Sequence, residues 1–154
     1  MPEVPGSVDA GGLRVAIAVA EFNPAITDGL LAGALEALAD AGVAEPTVLR
    51  VPGAFELPLA ASVLVASHDC VVALGAVIEG ETDHYEYIAT QTAGGLSRIA
   101  LDSGVPVSFG VLTVRQISHA VERSMPGPGN KGAEAAATAV GMALALRRLR
   151  DDAS

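Results

Sequence analysis

Residues 71–87, VVALGAVIEGETDHYEY, decide how this chain folds. The segment begins as a continuous apolar run, which is the pattern of a strand buried on both faces of a parallel sheet. The run breaks at Gly80, and a helical pattern follows Thr82 and Asp83, two residue types that favour a helix N-terminus. His84 is therefore expected in the first helical turn, at a strand end where open α/β sheets bind ligands and where helix N–H groups favour anions.

The rest of the chain alternates strands and helices in the same way. Strands are predicted at 14–20, 47–51, 70–78 and 107–112, and helices at 24–41, 58–67, 83–102, 115–123 and 131–150. This alternation is typical of a parallel sheet covered by helices on both faces and joined by right-handed crossovers. We therefore predict an α/β fold with a four-stranded parallel sheet. The Gly- and Pro-rich residues 1–13 are expected to form an N-terminal arm, and residues 14–154 a single domain.

Composition and charge limit the classes of partner. The chain has 154 residues and a formal net charge of −9, and it contains no basic run, which makes nucleic acid and anionic membrane surfaces poor partners. No apolar run is long enough to span a membrane, and the first residues do not have the pattern of a signal peptide, so we expect a cytoplasmic protein. The single cysteine, Cys70, is expected to be a small core residue.

The last predicted helix has an unusual distribution of apolar residues. In GAEAAATAVGMALALRRL, residues 132–149, small and apolar side chains occupy nearly the whole circumference. A helix that is apolar on all sides is buried on all sides, and a four-stranded sheet covers only one of them. The helix therefore predicts contact with another subunit. The alternative is an Ala-rich surface helix that forms because of its high intrinsic propensity.

Residues suited to ligand binding follow the predicted strands, whose carboxyl ends converge on one rim of the sheet. Phe22 lies beside Asn23 in the first loop, where its ring can stack on a planar ligand or staple onto the next helix. Glu56, which follows Gly53 in the second loop, can accept hydrogen bonds from ligand hydroxyls or complement a helix dipole. His84 can exchange a proton near neutral pH, or it is an ordinary capping residue.

Two isolated cations flank a loop near the end of the chain. Arg123 and Lys131 stand on either side of SMPGPGN, residues 124–130, in a chain that is acidic overall. They suit a phosphate, with bidentate contacts from the guanidinium and a point charge from the ammonium, or they are ordinary surface charges. The spacing of histidines and carboxylates forms no convincing metal site. The glycine patterns of dinucleotide-binding and P-loop proteins are absent as well.

Taken together, these motifs resemble the lumazine synthase family. The matching segments are EFN at 21–23, VPGAFELP at 51–58, ALGAVIEGETDHYEY at 73–87, PVSFGVLT at 106–113, ERS at 122–124 and GNKG at 129–132. The resemblance implies a flavodoxin-like three-layer α/β/α sandwich that assembles as homopentamers or as 60-subunit icosahedral shells, with riboflavin synthase as an enclosed partner. It also implies the condensation of 5-amino-6-(D-ribitylamino)uracil with 3,4-dihydroxy-2-butanone 4-phosphate, without metal or organic cofactor. The products are 6,7-dimethyl-8-ribityllumazine, phosphate and water.

The resemblance further implies a role for each matched residue. His84 would be the proton shuttle. The ribitylaminouracil would be bound by Phe22, Asn23, Ala54, Phe55, Glu56, Ala76, Val77, Ile78, Phe109 and Lys131. The butanone phosphate would be bound by Glu81, Thr82 and Arg123. Phe109, Arg123 and Lys131 would belong to a site shared with the neighbouring subunit.

Three departures from the family pattern keep alternatives open. Position 79 is usually basic in bacterial members and is Glu79 here. Ser118 and His119 replace a common Glu-Gln pair. The loop before GNKG carries MPGP at 125–128, where shell-forming members often have a Thr-Lys type sequence. These changes are compatible with a paralogue that binds a flavin or ribityl-pterin, or forms a shell, with little turnover. A flavodoxin-like electron carrier is disfavoured because EFNPAITDG, residues 21–29, lacks the Ser/Thr-rich composition of such a phosphate loop.

Overall fold

A four-stranded parallel sheet is the middle layer of the structure, a computed structural model that describes residues 9–153. Its strands are β1 (Val15–Ala20), β2 (Thr47–Val51), β3 (Cys70–Ile78) and β4 (Val107–Val114), in the spatial order β2-β1-β3-β4. The helices within these residues are α1 (Pro24–Asp40), α2 (Leu57–Leu64), α3 (His84–Ser103), α4 (Ile117–Ser124) and α5 (Lys131–Ala153). This arrangement confirms the predicted α/β/α sandwich, and the strand order is that of flavodoxin-like sheets.

The alternation of side chains along β1 explains why helices cover both faces of the sheet. All six residues of β1 are buried. The larger ones belong to the core formed with α1, α4 and α5: Val15, Ile17 and Val19. The small ones belong to the core formed with α2 and α3: Ala16, Ala18 and Ala20. Because successive side chains of a strand point to opposite faces, one short segment supplies both cores.

Close backbone approach brings α5 against α1 on the first of these faces. Gly132, in the first turn of α5, lies so near the carbonyl oxygen of Leu30 that a Cβ at this position would collide with it. The helix then continues across the sheet through buried small residues: Ala135, Ala136, Ala139 and Ala143. Small side chains let the helix backbone approach its neighbours closely, at the cost of burying little apolar area per residue. The predicted contact of α5 with another subunit stays a prediction.

The structure differs from the sequence prediction in the arm and at the ends of several elements. Helix α2 ends at Leu64 and not at residue 67, α4 begins at Ile117 and not at residue 115, and α5 continues to Ala153, three residues beyond its predicted end. A 3₁₀ turn, Ala54–Glu56, precedes α2, which begins at Leu57. Strand β4 continues two residues beyond its predicted end, to Val114. Residues 1–8 of the predicted arm lie outside the described residues, whereas Ala10 and Leu13 are buried in the core beside α1 and α5. The Ala10 N–H donates to the Ala41 carbonyl at 2.7 Å, which holds this part of the chain against the end of α1.

A half-buried carboxylate joins three parts of the chain at the amino ends of the strands. Asp69 accepts a hydrogen bond of 2.7 Å from the Arg14 backbone N–H, and its Oδ2 lies 3.6 Å from Arg14 Nε and 3.5 Å from an Arg147 guanidinium nitrogen. Burial by itself would raise the pKa of Asp69. The hydrogen bonds from Arg14 and the charges of Arg14 and Arg147 outweigh that effect, so the pKa lies below its ordinary value.

We expect Asp69→Asn to destabilise the fold by about 1–2 kcal/mol at neutral pH, because the amide loses the charge that both arginines contact. The folded-state pKa is lowered, so the stabilisation is fully present above the unfolded pKa of about 3.9 and is lost as the pH falls through the folded value. Urea unfolding at several pH values measures both effects. Asp102→Asn is the control, because its partner Arg98, 3.4 Å away, is exposed and such a pair contributes little. Equal losses in the two variants, or a difference that persists near pH 2, would contradict this account.

Candidate active site

A cleft of about 580 Å³ opens at the carboxyl ends of β1, β2 and β3. Its volume is in the range of small-molecule sites. Most of the residues that the sequence analysis singled out line it together: Phe22, Asn23, Ala54, Phe55, Glu56, Ala76, Val77, Ile78, Thr82 and His84. Glu81 precedes Thr82, is exposed and lies outside this lining. The convergence of three loops on one rim, expected from the sheet topology, is therefore present within one chain.

Asn23 fixes the loop between β1 and α1. Its backbone has a φ of 64°, a left-handed conformation that asparagine tolerates better than most residues. Its carbonyl accepts hydrogen bonds of 3.0 Å from the N–H groups of Ile26 and Thr27, and its side-chain amide donates to the Ala76 carbonyl at 3.2 Å. The bond to Ala76 ties this loop to the end of β3. It leaves the neighbouring Phe22 ring 70% exposed at the rim of the cleft.

The end of β3 offers backbone groups to the cleft because β3 extends beyond the end of its neighbour β1. The register between the two strands ends at the pair Val19–Leu74, whereas the register with β4 continues to Ile78–Val114. The Ala76 carbonyl points to the β1 side, where the Asn23 amide meets it. Backbone groups of alternate residues share a direction, so those of Ile78 point to the same side. This edge therefore borders the cleft and not another strand.

The 3₁₀ turn after β2 presents an aromatic ring and a carboxylate. Phe55 is 56% exposed, and the Glu56 N–H donates to the Gly53 carbonyl at 3.2 Å. The turn is held from the side of α3 by the fully buried Thr92, whose hydroxyl donates to the Ala54 carbonyl at 3.2 Å. Sequence reasoning missed Thr92, because nothing in the pattern of α3 distinguishes it from Thr90, the other threonine of that helix.

His84 lies in the first turn of α3, as predicted, and is its first residue, whereas the helix was predicted to begin at residue 83. Its backbone N–H donates to the Thr82 hydroxyl at 3.4 Å, and the side chain of Asp83, the N-cap residue, makes no capping bond. The His84 side chain is exposed at the cleft. Free N–H groups and the helix dipole make this point favourable for an anion. The nearby Glu79 forms an ion pair of 3.4 Å with Arg115, which offsets its charge.

Phe109, Arg123 and Lys131 lie elsewhere on the chain. They line a second hollow, of about 330 Å³, between β4 and the beginning of α5. In this hollow the Lys131 ammonium is 2.7 Å from a Glu134 carboxylate oxygen. An Arg123 guanidinium nitrogen donates to the His119 carbonyl at 3.0 Å. The structure thus divides the predicted site residues into two groups on different parts of the surface.

The remaining reactive side chains do not form a further centre. Burial, and then the charge of Asp69, raise the pKa of the Cys70 thiol to about 12, which agrees with its predicted place in the core. Within residues 9–153, no three His, Cys, Asp or Glu side chains are grouped so that they would hold a metal ion. None of the helices in that range is both long and apolar enough to cross a membrane.

The chain is similar to known proteins along nearly its whole length. A family model described as 6,7-dimethyl-8-ribityllumazine synthase matches residues 12–147. Proteins named 6,7-dimethyl-8-ribityllumazine synthase from Yersinia pestis (strain Pestoides F) and Yersinia pseudotuberculosis serotype O:1b (strain IP 31758) are each 47% identical to it over 155 residues. These alignments cover 97% of this chain and 99% of each relative.

We expect Thr92→Val to lower the free energy of unfolding by about 0.5–1.5 kcal/mol, because a side chain of the same shape removes one hydrogen bond and leaves the Ala54 carbonyl with the Leu57 N–H alone. Thr90→Val is the matched control. Thr90 is exposed on the same helix, so its replacement should change the stability by less than about 0.5 kcal/mol. Urea titration of both variants measures the difference, and equal stabilities would mean that Thr92 does not hold the turn.

Proposed function

This chain belongs to the 6,7-dimethyl-8-ribityllumazine synthase family, and on that premise we propose that it is a lumazine synthase of riboflavin biosynthesis. It condenses 5-amino-6-(D-ribitylamino)uracil with 3,4-dihydroxy-2-butanone 4-phosphate to give 6,7-dimethyl-8-ribityllumazine, phosphate and water. The observation that carries the proposal is the cleft. It combines an exposed aromatic ring, a carboxylate, free strand-end backbone groups and a histidine at a helix N-terminus.

The ribitylaminouracil fits the part of the cleft between the first loop and the 3₁₀ turn. The exposed Phe22 ring stacks on the flat pyrimidinedione. The backbone groups that Ala76 and Ile78 turn to the β1 side pair with its polar edge, and Val77 lines the cleft between them. Ala54, Phe55 and Glu56 hold the ribityl chain, with the Glu56 carboxylate accepting hydrogen bonds from its hydroxyls. Asn23 contributes by holding the loop that carries Phe22 against Ala76.

The butanone phosphate lies beside the N-terminus of α3. The backbone N–H groups around Glu81 and Thr82 receive the phosphate, and the Arg123 guanidinium adds the positive charge that this acidic chain otherwise lacks at the cleft. With the phosphate there, the carbonyl group of the substrate lies toward His84 and the bound amine.

The chemistry consists of proton transfers around an amine that attacks a ketone. The 5-amino nitrogen adds to the carbonyl carbon, and transfer of a proton from this nitrogen to the new oxyanion gives a hydroxyl. The hydroxyl gains a second proton and leaves as water while the nitrogen loses its remaining proton, which gives an imine. The neighbouring carbon then loses a proton as phosphate departs, and the resulting enol becomes a ketone. The ribitylamino nitrogen adds to this ketone, and loss of a second water closes the ring. His84 accepts and returns protons in these steps. Holding the two reactants in contact supplies most of the acceleration, because it replaces a bimolecular encounter by a unimolecular step.

A second copy of the chain completes the site. Phe109, Arg123 and Lys131 line a hollow separate from the His84 cleft, so they serve a cleft only when another subunit brings them to it. Exposed apolar side chains on two different parts of the chain support such an interface. They include Leu59 and Val63 on α2, Ile117 and Val121 on α4, and Met125 directly after α4. The assembly is a homopentamer or a 60-subunit shell, which in the shell form encloses riboflavin synthase, and we place the enzyme in the cytoplasm.

The first test is to mix the purified protein with both substrates and follow the fluorescence of the lumazine product. We expect a rate well above that of the uncatalysed condensation. His84→Ala should lower kcat by no more than about 10⁴-fold, the upper range of general acid–base catalysis. Its unfolding midpoint should not change, because the side chain is exposed. A wild-type rate equal to the background would instead favour a paralogue that binds a flavin or ribityl-pterin, or forms a shell, with little turnover.

The second test is subunit complementation. Arg123→Ala should raise the KM for the butanone phosphate far more than the KM for the ribitylaminouracil. When Arg123→Ala and His84→Ala chains are unfolded, mixed in equal amounts and refolded together, about a quarter of the sites combine an intact cleft with an intact neighbour. Activity at low butanone phosphate should therefore exceed that of either variant refolded alone. No recovery would place His84 and Arg123 in the same subunit's site.

A further inference from the structure

Asn130 has an unusually complete set of hydrogen bonds for a loop side chain. It stands directly before α5 and is 2% exposed. Its amide nitrogen donates to the carbonyls of Gly29 at 3.1 Å, Ser124 at 3.2 Å and Met125 at 3.0 Å. Its side-chain oxygen accepts the Ala133 N–H at 3.0 Å, as an N-cap of α5. One side chain therefore connects the middle of α1, the end of α4 and the beginning of α5.

The surrounding glycines make room for this side chain. Gly29 and Gly33 lie one turn apart on α1. A Cβ at Gly33 would overlap the Asn130 amide, and a Cβ at Gly29 would overlap the Ser124 carbonyl oxygen. Neither residue has a positive φ, so glycine is needed at both positions because of the close approach and not because of the backbone conformation. The N-cap function of Asn130 does not need the space left by either glycine, because Ala133 lies in α5 itself.

The groups that Asn130 ties together are adjacent to the two cations of the second hollow. Arg123 precedes Ser124, and Lys131 follows Asn130. Both line the hollow beside β4. The loop between them turns at Gly127, which has a φ of 120°, and its second half is closed by a backbone hydrogen bond of 3.2 Å from the Asn130 N–H to the Gly127 carbonyl. The bonds from the Asn130 side chain to Ser124 and Met125 connect this half to the end of α4.

We propose that Asn130 is a positioning residue for the phosphate substrate: through Ser124 and Met125 it holds the end of α4 so that Arg123 contacts the phosphate. This inference rests on the proposed function. Asn130 does not touch the substrate itself and acts through Arg123. Its three carbonyl acceptors and the Ala133 N–H determine which way the amide points, because the reverse orientation would set oxygen against oxygen.

Asn130→Asp separates this role from helix capping. Aspartate has nearly the same shape, caps helices as well as asparagine does and suits the positive end of α5. It has no N–H to donate, however, and its second oxygen would face the carbonyls of Ser124 and Met125. We expect the KM for the butanone phosphate to rise by about tenfold, comparable to weakening one charge-assisted hydrogen bond, with the KM for the ribitylaminouracil changed by less than about twofold.

The split between the two KM values distinguishes positioning from stability. A variant that only unfolds more easily lowers the concentration of active enzyme, and hence the apparent kcat, but leaves both KM values unchanged. In the Arg123→Ala background, Asn130→Asp should raise the KM for the butanone phosphate by much less than it does alone, because the two residues act through one contact. Equal increases in both KM values, or increases that multiply in the double variant, would overturn the proposal.

Gly33→Ala tests the same contact from α1. Alanine normally stabilises a helix relative to glycine, but here its methyl group displaces Asn130, so the KM for the butanone phosphate should rise as in Asn130→Asp. Gly94→Ala is the matched control, because this exposed helical glycine of α3 has open space around its Cβ position. An unchanged KM in Gly33→Ala would count against the inference.

Titration with inorganic phosphate by calorimetry gives a readout that does not need turnover. The wild-type assembly should bind phosphate, and Asn130→Asp should weaken this binding by about the same factor as it raises KM. If the protein lacks synthase activity but shows this loss, the proposed function fails and the positioning role stands. If it is active and Asn130→Asp binds phosphate as tightly as the wild type, the positioning role fails.

Discussion

The candidate site depends on one feature of the sheet, namely that β3 continues beyond the point where β1 has ended. Strand β1 ends because Asn23 turns the chain away in a left-handed conformation, and the same residue returns a hydrogen bond to the Ala76 carbonyl. The end of β3 is thereby tied to the loop before α1, while its β1 side stays open beyond Ala76. All other cleft residues are arranged around this open edge by loops that start at neighbouring strand ends.

Rigid elements hold these loops through single, buried polar contacts. Thr92 of α3 supports the 3₁₀ turn through the Ala54 carbonyl, and Asn130 joins the end of α4 to α1 and α5. Each contact supplies a side-chain donor to a buried backbone carbonyl. The small residues of β1 and the glycines of α1 and α5 allow the close packing on which these contacts depend. The small side chains in the core therefore affect how the loops are held at the surface.

The sequence predicted those parts of the fold whose signals are local. The apolar run of β3, the break at Gly80 and the helix after it placed His84 correctly, because each depends on residues a few positions apart. The 3₁₀ turn at 54–56 was missed, since three residues of this kind resemble an ordinary helix start. Thr92 and Asn130 were missed for a different reason. Their partners Ala54 and Gly29 lie 38 and 101 residues away, and no periodicity encodes such a contact.

The open edge at residues 76–78 presents main-chain atoms, which every amino acid other than proline possesses in the same form. A compound designed to bind these atoms would depend little on which side chains occupy the three positions. A point mutation at these three positions would therefore give resistance to such a compound only if it introduced a proline that disrupts the strand. Other resistance mutations would have to change the rim around Phe22. For inhibitor design, the end of β3 is consequently a more durable anchor than the exposed side chains that surround it.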